Sequence, residues 1–218
     1  MRTDKKTLKA RWLDESFLKE QKALIDLLLK IDAGKLIENT DMRGTTLSDY
    51  SYPVEALAKA YLHNVKMIDC DLQSATIGSY ITDSEVKCTD FTEVKFKQAS
   101  FIKSHFIECN FTKSTINAHF TDAVFEKCDF TNAYFTGGSN FSGLGGVRVK
   151  FIGCNFANTV FKSLPLRAVR FVNCTFLSTQ LINTDLRGAK ATSSIGVDSI
   201  QYDRVDANLG KDNYVRED

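Results

Sequence analysis

The sequence holds little of what catalytic and membrane-spanning chains usually carry. Its net charge is only +1, so the chain as a whole is neither a polycation nor a polyanion. Its three histidines, His63, His105 and His119, fall on different sides of the repeat described below and converge with neither Cys88 nor a carboxylate pair. No triad and no metal cluster can be assembled from them. No Walker sequence, dinucleotide fingerprint or zinc spacing occurs. The apolar stretch Leu24-Ile25-Asp26-Leu27-Leu28-Leu29 is too short to span a bilayer and carries a charge. With no cleavable signal recognised, the chain is expected to be cytoplasmic and not membrane-bound, and nothing in it calls for a cofactor or a metal.

What is abundant is phenylalanine, and it is periodic. From Leu72 to Leu186 a bulky apolar residue recurs at about every fifth position. The series runs Leu72, Ile77, Ile81, Val86, Phe91, Phe96, Phe101, Phe106, Phe111, Ile116, Phe120, Phe125, Phe130, Phe135 and Phe141. After a lapse at Gly146 it resumes with Phe151, Phe156, Phe161, Leu166, Phe171, Phe176, Leu181 and Leu186. Fifteen of the sixteen phenylalanines lie on this register, Phe17 being the exception. Neither a helix nor an ordinary strand has such a period. A coil with four straight sides has it, and it stacks residues about twenty apart near the ~4.8 Å strand spacing.

Each side then donates one large residue to the axis, and the residue two places earlier must be small to fit beside it. Those positions hold Cys70, Ala75, Ser79, Ser84, Thr89, Val94, Ala99, Ser104, Cys109, Ser114, Ala118 and Ala123. Counting straight through, the first side stacks Leu72, Phe91, Phe111, Phe130, Phe151 and Phe171, which makes six coils. Of the cysteines, Cys70, Cys109, Cys128, Cys154 and Cys174 occupy the small inward position, where a thiol packs as a compact hydrophobe. Only Cys88 is expected to face outward.

Segments such as Thr89-Asp90-Phe91-Thr92-Glu93, Cys109-Asn110-Phe111-Thr112-Lys113, Cys128-Asp129-Phe130-Thr131-Asn132 and Thr184-Asp185-Leu186-Arg187-Gly188 resemble the unit of the pentapeptide-repeat family. The resemblance extends over about 120 residues. It implies an all-β solenoid, a right-handed quadrilateral parallel β-helix. Family members with known roles are commonly protective factors that bind type II topoisomerases as mimics of duplex DNA.

The chain divides into residues 1–61, an N-terminal helix and a degenerate first repeat forming a cap; residues 62–191, the β-helix; and residues 192–218, a C-terminal cap and mobile tail. Apolar residues from Asp14 to Ala33 share one helical face, with Asp14 as N-cap and Gly34 as stop, and this helix is assigned to cover the first coil. Asp41 to Leu47 reads as an early repeat, and Pro53 to Tyr61 as an interruption. Val197 to Tyr202 suits a short closing helix capped by Asp198 or Ser199. The five-residue spacing breaks at Ile77–Ile81, Ile116–Phe120 and Phe135–Phe141, all at the corner between sides two and three. The glycines at 137, 138, 143, 145 and 146 read as a bent or loosened coil rather than a phosphate-binding loop.

A solid axis leaves the outer faces as the place to act. One candidate is an acidic column, Asp71, Asp90 and Asp129, with Asp71 and Asp90 roughly 5 Å apart, a separation known from glycosidase carboxylates. Holding the turn backbone is the alternative for these residues. The other candidate is basic. Acids outnumber bases by three between Leu62 and Phe141, and bases outnumber acids by six between Ser142 and Ala191. Arg148, Arg167 and Arg187 form one row and Lys150, Arg170 and Lys190 another, both placed at the corner joining sides four and one. Stacked like charges repel, so a negatively charged partner is an attractive explanation and a solvated edge the alternative.

Two functions follow. The first is a non-enzymatic binding protein that engages another protein or an anionic macromolecule. The second, implied by the family resemblance, is a topoisomerase-binding DNA mimic conferring resistance or immunity, for which the basic balance between residues 62 and 191 is unfavourable. A homodimer through one end of the rod is compatible with either.

Overall fold

The computed structural model describes residues 5–29, 35–47, 62–78, 80–137, 144–205, 209 and 214–215. The expected stop at Gly34, the interruption at Pro53 to Tyr61, inward Ser79, and Gly138, Phe141 and Gly143 lie outside them.

The chain winds into a parallel solenoid with four sides. One side is a nine-stranded sheet running from Lys35–Glu38 to Tyr214–Val215, and the opposite side is an eight-stranded sheet from Thr46–Leu47 to Gln201–Asp203. All the pairings are parallel. The two remaining sides are columns of single bridges, one from Asp41 through Asp71, Asp90, Asn110, Asp129, Asn155 and Thr175 to Ile195, the other through Tyr80, Ser100, His119 and Gly145, with Pro165 bridged to Asp185. Corners are turned by residues at positive φ, among them Asn132, Asn158, Asn173 and Asn183, a conformation that asparagine tolerates better than most.

Each described residue of the large apolar series is buried, as is each described small residue before it. The small polar members satisfy themselves locally: Ser104 Oγ donates to the Ile81 carbonyl at 2.7 Å, and the thiols of Cys109, Cys128, Cys154 and Cys174 lie 3.3–3.5 Å from carbonyls of the preceding coil. The cysteines are unbridged, with Cys88 the exposed one. Burial pushes the Cys128 thiol well up from its ordinary pKa, so that thiol packs rather than reacts.

The stacks differ from straight counting after Phe130. The ring over Phe130 is Phe156, at 5.3 Å and 5°, followed by Phe176 at 5.4 Å. Phe151 stacks on Phe125 at 5.1 Å and carries Phe171 at 5.3 Å. Asp129 accordingly bridges to Asn155, twenty-six residues on, whereas neighbouring coils repeat after about twenty. Gly146 holds the third-side position of this coil, next to Gly145, which bridges to His119. Its lapse is filled from both sides, since a Cβ there would sit 2.4 Å from Val149 and 2.5 Å from Phe120. The described part of the glycine segment stays on the ladder: Gly145 N–H donates to Ala118 at 2.8 Å, and Phe120 N–H to Gly145 at 2.8 Å.

The four-residue spacing Ile116–Phe120 is absorbed by a bulge on the neighbouring coil, where pairing jumps from Lys97–Asn117 to Ala99–Ala118. Asn117 closes the gap: its Oδ1 accepts from Gln98 N–H at 2.9 Å and its Nδ2 donates to the Thr136 carbonyl at 3.0 Å.

The N-terminal helical region begins earlier and is more broken than the sequence pattern predicts. α1 spans Lys5–Ala10, a 3-10 turn Arg11–Leu13, α2 Glu15–Glu20 and α3 Lys22–Leu29. Asp14 does cap α2, accepting Phe17 N–H at 2.9 Å. The turn lies on the coil of residues 35–47: buried Trp12 donates Nε1–H to the Arg43 carbonyl at 2.9 Å, and Arg11 forks onto Asp41 at 2.6 and 2.7 Å. Gly44, at φ +73°, is pressed so closely by Leu8 that a Cβ would lie 2.5 Å from its backbone. At the other end, the expected closing helix is one 3-10 turn, Val197–Ser199, entered through Gly196 at φ 77° with no side-chain cap. Tyr202 belongs to a strand instead, and Tyr214–Val215 pairs with Ala191 and Thr192 where a mobile tail is predicted.

Candidate functional site

The acidic column is built as a series of turn clamps. In each of Asp71, Asp90 and Asp129 one oxygen accepts the backbone N–H two residues on, at 3.0, 2.8 and 2.9 Å. Asn110 does the same at 3.0 Å and separates Asp90 from Asp129. The second oxygen of Asp90 accepts Gln73 Nε2 at 2.7 Å. Burial, then the adjacent Asp90 charge, raises the Asp71 pKa against the pull of the Gln73 N–H. The geometry therefore places these carboxylates as Asx-turn anchors, with only Asp71 and Asp90 directly adjacent.

The histidines remain apart. His63 contacts Thr82 at 2.8 Å and Asp83 at 3.7 Å; His105 lies 3.5 Å from Glu126; His119 contacts Thr121 at 2.9 Å. His63 and His119 both flank the third side, on coils that Ile81 and Phe101 separate, so the expectation of different sides does not hold for this pair. Among the described residues, no group of histidine, cysteine, aspartate or glutamate is arranged to hold a metal ion.

The basic residues meet at the corner between the third and fourth sides, counting from the column of Leu72, rather than between the fourth and first. The displacement follows from the shifted stacks. Lys150, Arg170 and Lys190 are in direct register on consecutive strands. Arg148 is not in line with Arg167 and Arg187: its N–H reaches the Arg167 carbonyl, and the residue in its own position on the next coil is Ala168. Nor are the arginines left to repel one another. Arg148 forks onto Asp122 at 2.8 Å through both nitrogens. Arg187 forks onto Asp185 at 2.9 and 2.7 Å, and Arg167 Nε pairs with the same carboxylate. Bonding from Arg187, then from Arg167, holds the Asp185 carboxyl far below its ordinary range despite partial burial.

Arg170 Nη1 donates to the carbonyls of Gly188, Ala168 and Val169 at 2.8, 3.2 and 3.2 Å, which fixes its charge against the corner. The side chains of Lys150 and Lys190 are exposed, and their amines have no hydrogen bond or ion pair among the described residues. Beside this row, one pleat along each strand, stand half-buried Ile152 and Val172, pointing outward next to core Phe151 and Phe171. The sequence pattern did not single out Asp122, Ile152 or Val172. Asp122 becomes a partner of Arg148 only once the twenty-six-residue coil is known, while Ile152 and Val172 sit at ordinary outward positions of the repeat.

The arrangement defines a class: a filled parallel β-solenoid built from five-residue units. The family model for pentapeptide repeats matches residues 89–117 and 116–143, eight copies in all, so this stretch of the solenoid is built from pentapeptide repeats. Among solved structures it is similar to a trypsin-treated form of QnrB1, a plasmid-mediated fluoroquinolone resistance protein, with a TM-score of 0.55, 10% identity, and coverage of 85% of this chain and 92% of that one. A second trypsin-treated QnrB1 form gives a TM-score of 0.42 at 13% identity, covering 86% and 92%. HetL from the cyanobacterium Nostoc, a pentapeptide-repeat protein involved in heterocyst differentiation regulation, gives 0.27 at 10%, covering 88% and 92%. By sequence, no curated protein matches the chain.

Proposed function

We propose that the protein is a non-enzymatic binding protein that engages a macromolecular partner through the rigid outer surface of its solenoid, with Arg148, Lys150, Arg167, Arg170, Arg187 and Lys190 at the contact. What supports this is the filled axis. Phenylalanine rings stack at 4.8–5.4 Å along two adjoining columns and are almost wholly excluded from solvent, so the described interior is packed by its own side chains. The exposed lysines at positions 150 and 190 give the surface its unneutralised charge, and a partner with negative groups complements it.

The structure alters which residues should be tested. Reversing Arg167 or Arg187 would strip Asp185 of one of its two counter-ions and confound binding with stability. The informative variant is Lys150→Glu with Lys190→Glu. Affinity capture from host cells, read by mass spectrometry, is expected to recover a macromolecule with the wild type and lose it with this variant while circular dichroism is unchanged. Equal recovery by both proteins would remove this surface from the proposal.

A topoisomerase-binding role is the second proposal, favoured by the fold it shares with a fluoroquinolone resistance protein. Against it stands the charge: the basic C-terminal half would oppose a groove built for phosphates. Gyrase supercoiling with and without a fluoroquinolone tests it. Protection or inhibition supports it, and neither effect eliminates it.

A further inference from the structure

We infer that the C-terminal half of the fourth side docks an acidic amphipathic α-helix of a partner protein, lying along the solenoid axis. This rests on the binding-protein proposal and names its partner chemistry. The surface has two parallel columns on one flat sheet face. Lys150, Arg170 and Lys190 form a basic column in register, and Ile152 and Val172 form an apolar column in register beside it. The strands are ~4.8 Å apart, and residues two apart on one strand are separated by roughly 6.8 Å.

An α-helix laid across the strands has the matching repeat. Residues three and four apart lie on one helix face and advance about 5.4 Å per turn. A stripe of glutamate or aspartate at i, i+4 and i+7 therefore presents successive carboxylates close to the spacing of the three cations. An apolar stripe beside it meets Ile152 and Val172. Arg170 is held in place by three carbonyls, so its ordering cost is met before binding. Duplex nucleic acid suits the face less well. It carries one charge per ~1.7 Å of axis and offers its phosphates nothing to place on the apolar column. Further round the corner, the charges of Arg148 and Arg187 are already engaged by Asp122 and Asp185.

The probe is a fluorescein-labelled, alanine-rich helical peptide with glutamate at i, i+4, i+7 and i+11 and leucine one residue after each. Fluorescence anisotropy with the full chain compares it with a peptide of the same composition whose glutamates are dispersed round the helix, and with a labelled 20-base-pair DNA duplex. The striped peptide is expected to bind about tenfold more tightly than the dispersed one. Lys150→Glu with Lys190→Glu lowers its affinity about tenfold, and Ile152→Ser with Val172→Ser lowers it about fivefold without changing DNA binding. Equal binding of both peptides, indifference to the serine variant, or a duplex that binds as tightly as the striped peptide overturns the inference. If host-cell capture depends on Lys150 and Lys190 while the striped peptide shows no preference, the binding-protein proposal stands and the helix is the wrong partner.

Discussion

Asp185 does three jobs at once, and they can be separated by one substitution. Its backbone acceptor role, from Arg187 N–H at 3.1 Å, survives replacement by asparagine, whereas its charge toward Arg167 and Arg187 does not. The carboxylate side chain is 10% exposed but the arginines are 51% and 61% exposed, so solvent screening limits the loss in Asp185→Asn to about 1 kcal/mol. The folded-state pKa is depressed, so this stability is complete above the ordinary carboxylate pKa of about 4 and is lost as pH falls through the lower folded value. Urea unfolding at pH 7 should therefore separate wild type from Asp185→Asn, and the gap should narrow on acidification. A gap that widens in acid would show that the charge is not what Asp185 contributes. At this scale the interior was legible in the sequence, because axial volume dictates one large and one small residue per side. The charge pairs were less so, since Asp185 lies two residues from Arg187 but Asp122 meets Arg148 across a coil of abnormal length.

Among the elements, the corner between the second and third sides at Ile116–Phe120 departs from the repeat, and it does so by substituting a side chain for backbone. The spacing Ile116–Phe120 is visibly one residue short. Sequence alone does not show that the neighbouring coil answers with a bulge at Gln98, or that Asn117 supplies both the acceptor and the donor that the ladder lacks there. Asn117→Ala removes both bonds at a half-exposed site, with an expected cost of about 1 kcal/mol in chemical unfolding. Asn117→Asp keeps the acceptor for Gln98 but places an acceptor against the Thr136 carbonyl, so it should restore at most part of the loss. Full stability in the alanine variant would mean that water serves the corner as well as the amide does. The N-terminal helices show a similar limit. The apolar face and the Asp14 cap were readable, yet α1 lies outside the stretch that carried the amphipathic pattern, and its place is set by the contact of Leu8 with Gly44 and by the following turn's bonds to the Arg43 carbonyl rather than by its own periodicity.

For the molecule as a whole, a five-residue period has a blind spot: an insertion of about one side leaves the apparent register intact. Phe141 and Gly146 prolong the count from Phe135 almost without a break, yet Phe130 carries Phe156 and not Phe151. Only the longer repeat, the distance between stacked coils, reveals the extra residues, and single-sequence patterns report that distance poorly. The same one-dimensional construction governs stability, because each coil contacts chiefly its neighbours and damage at one end should stay there. Trp12 is almost wholly buried in the N-terminal helical region and donates to the Arg43 carbonyl. Its replacement by alanine should cost about 3 kcal/mol locally, raising amide exchange over residues 35–47 by about two orders of magnitude. Exchange in the phenylalanine coils from Phe91 to Phe176 should be unchanged, because their rings stack on one another and not on the cap. Uniform loss of protection along the rod would instead mean that the solenoid unfolds as a single cooperative unit whose weakest point is this end, and nearest-neighbour coupling would then be the wrong description of its energetics.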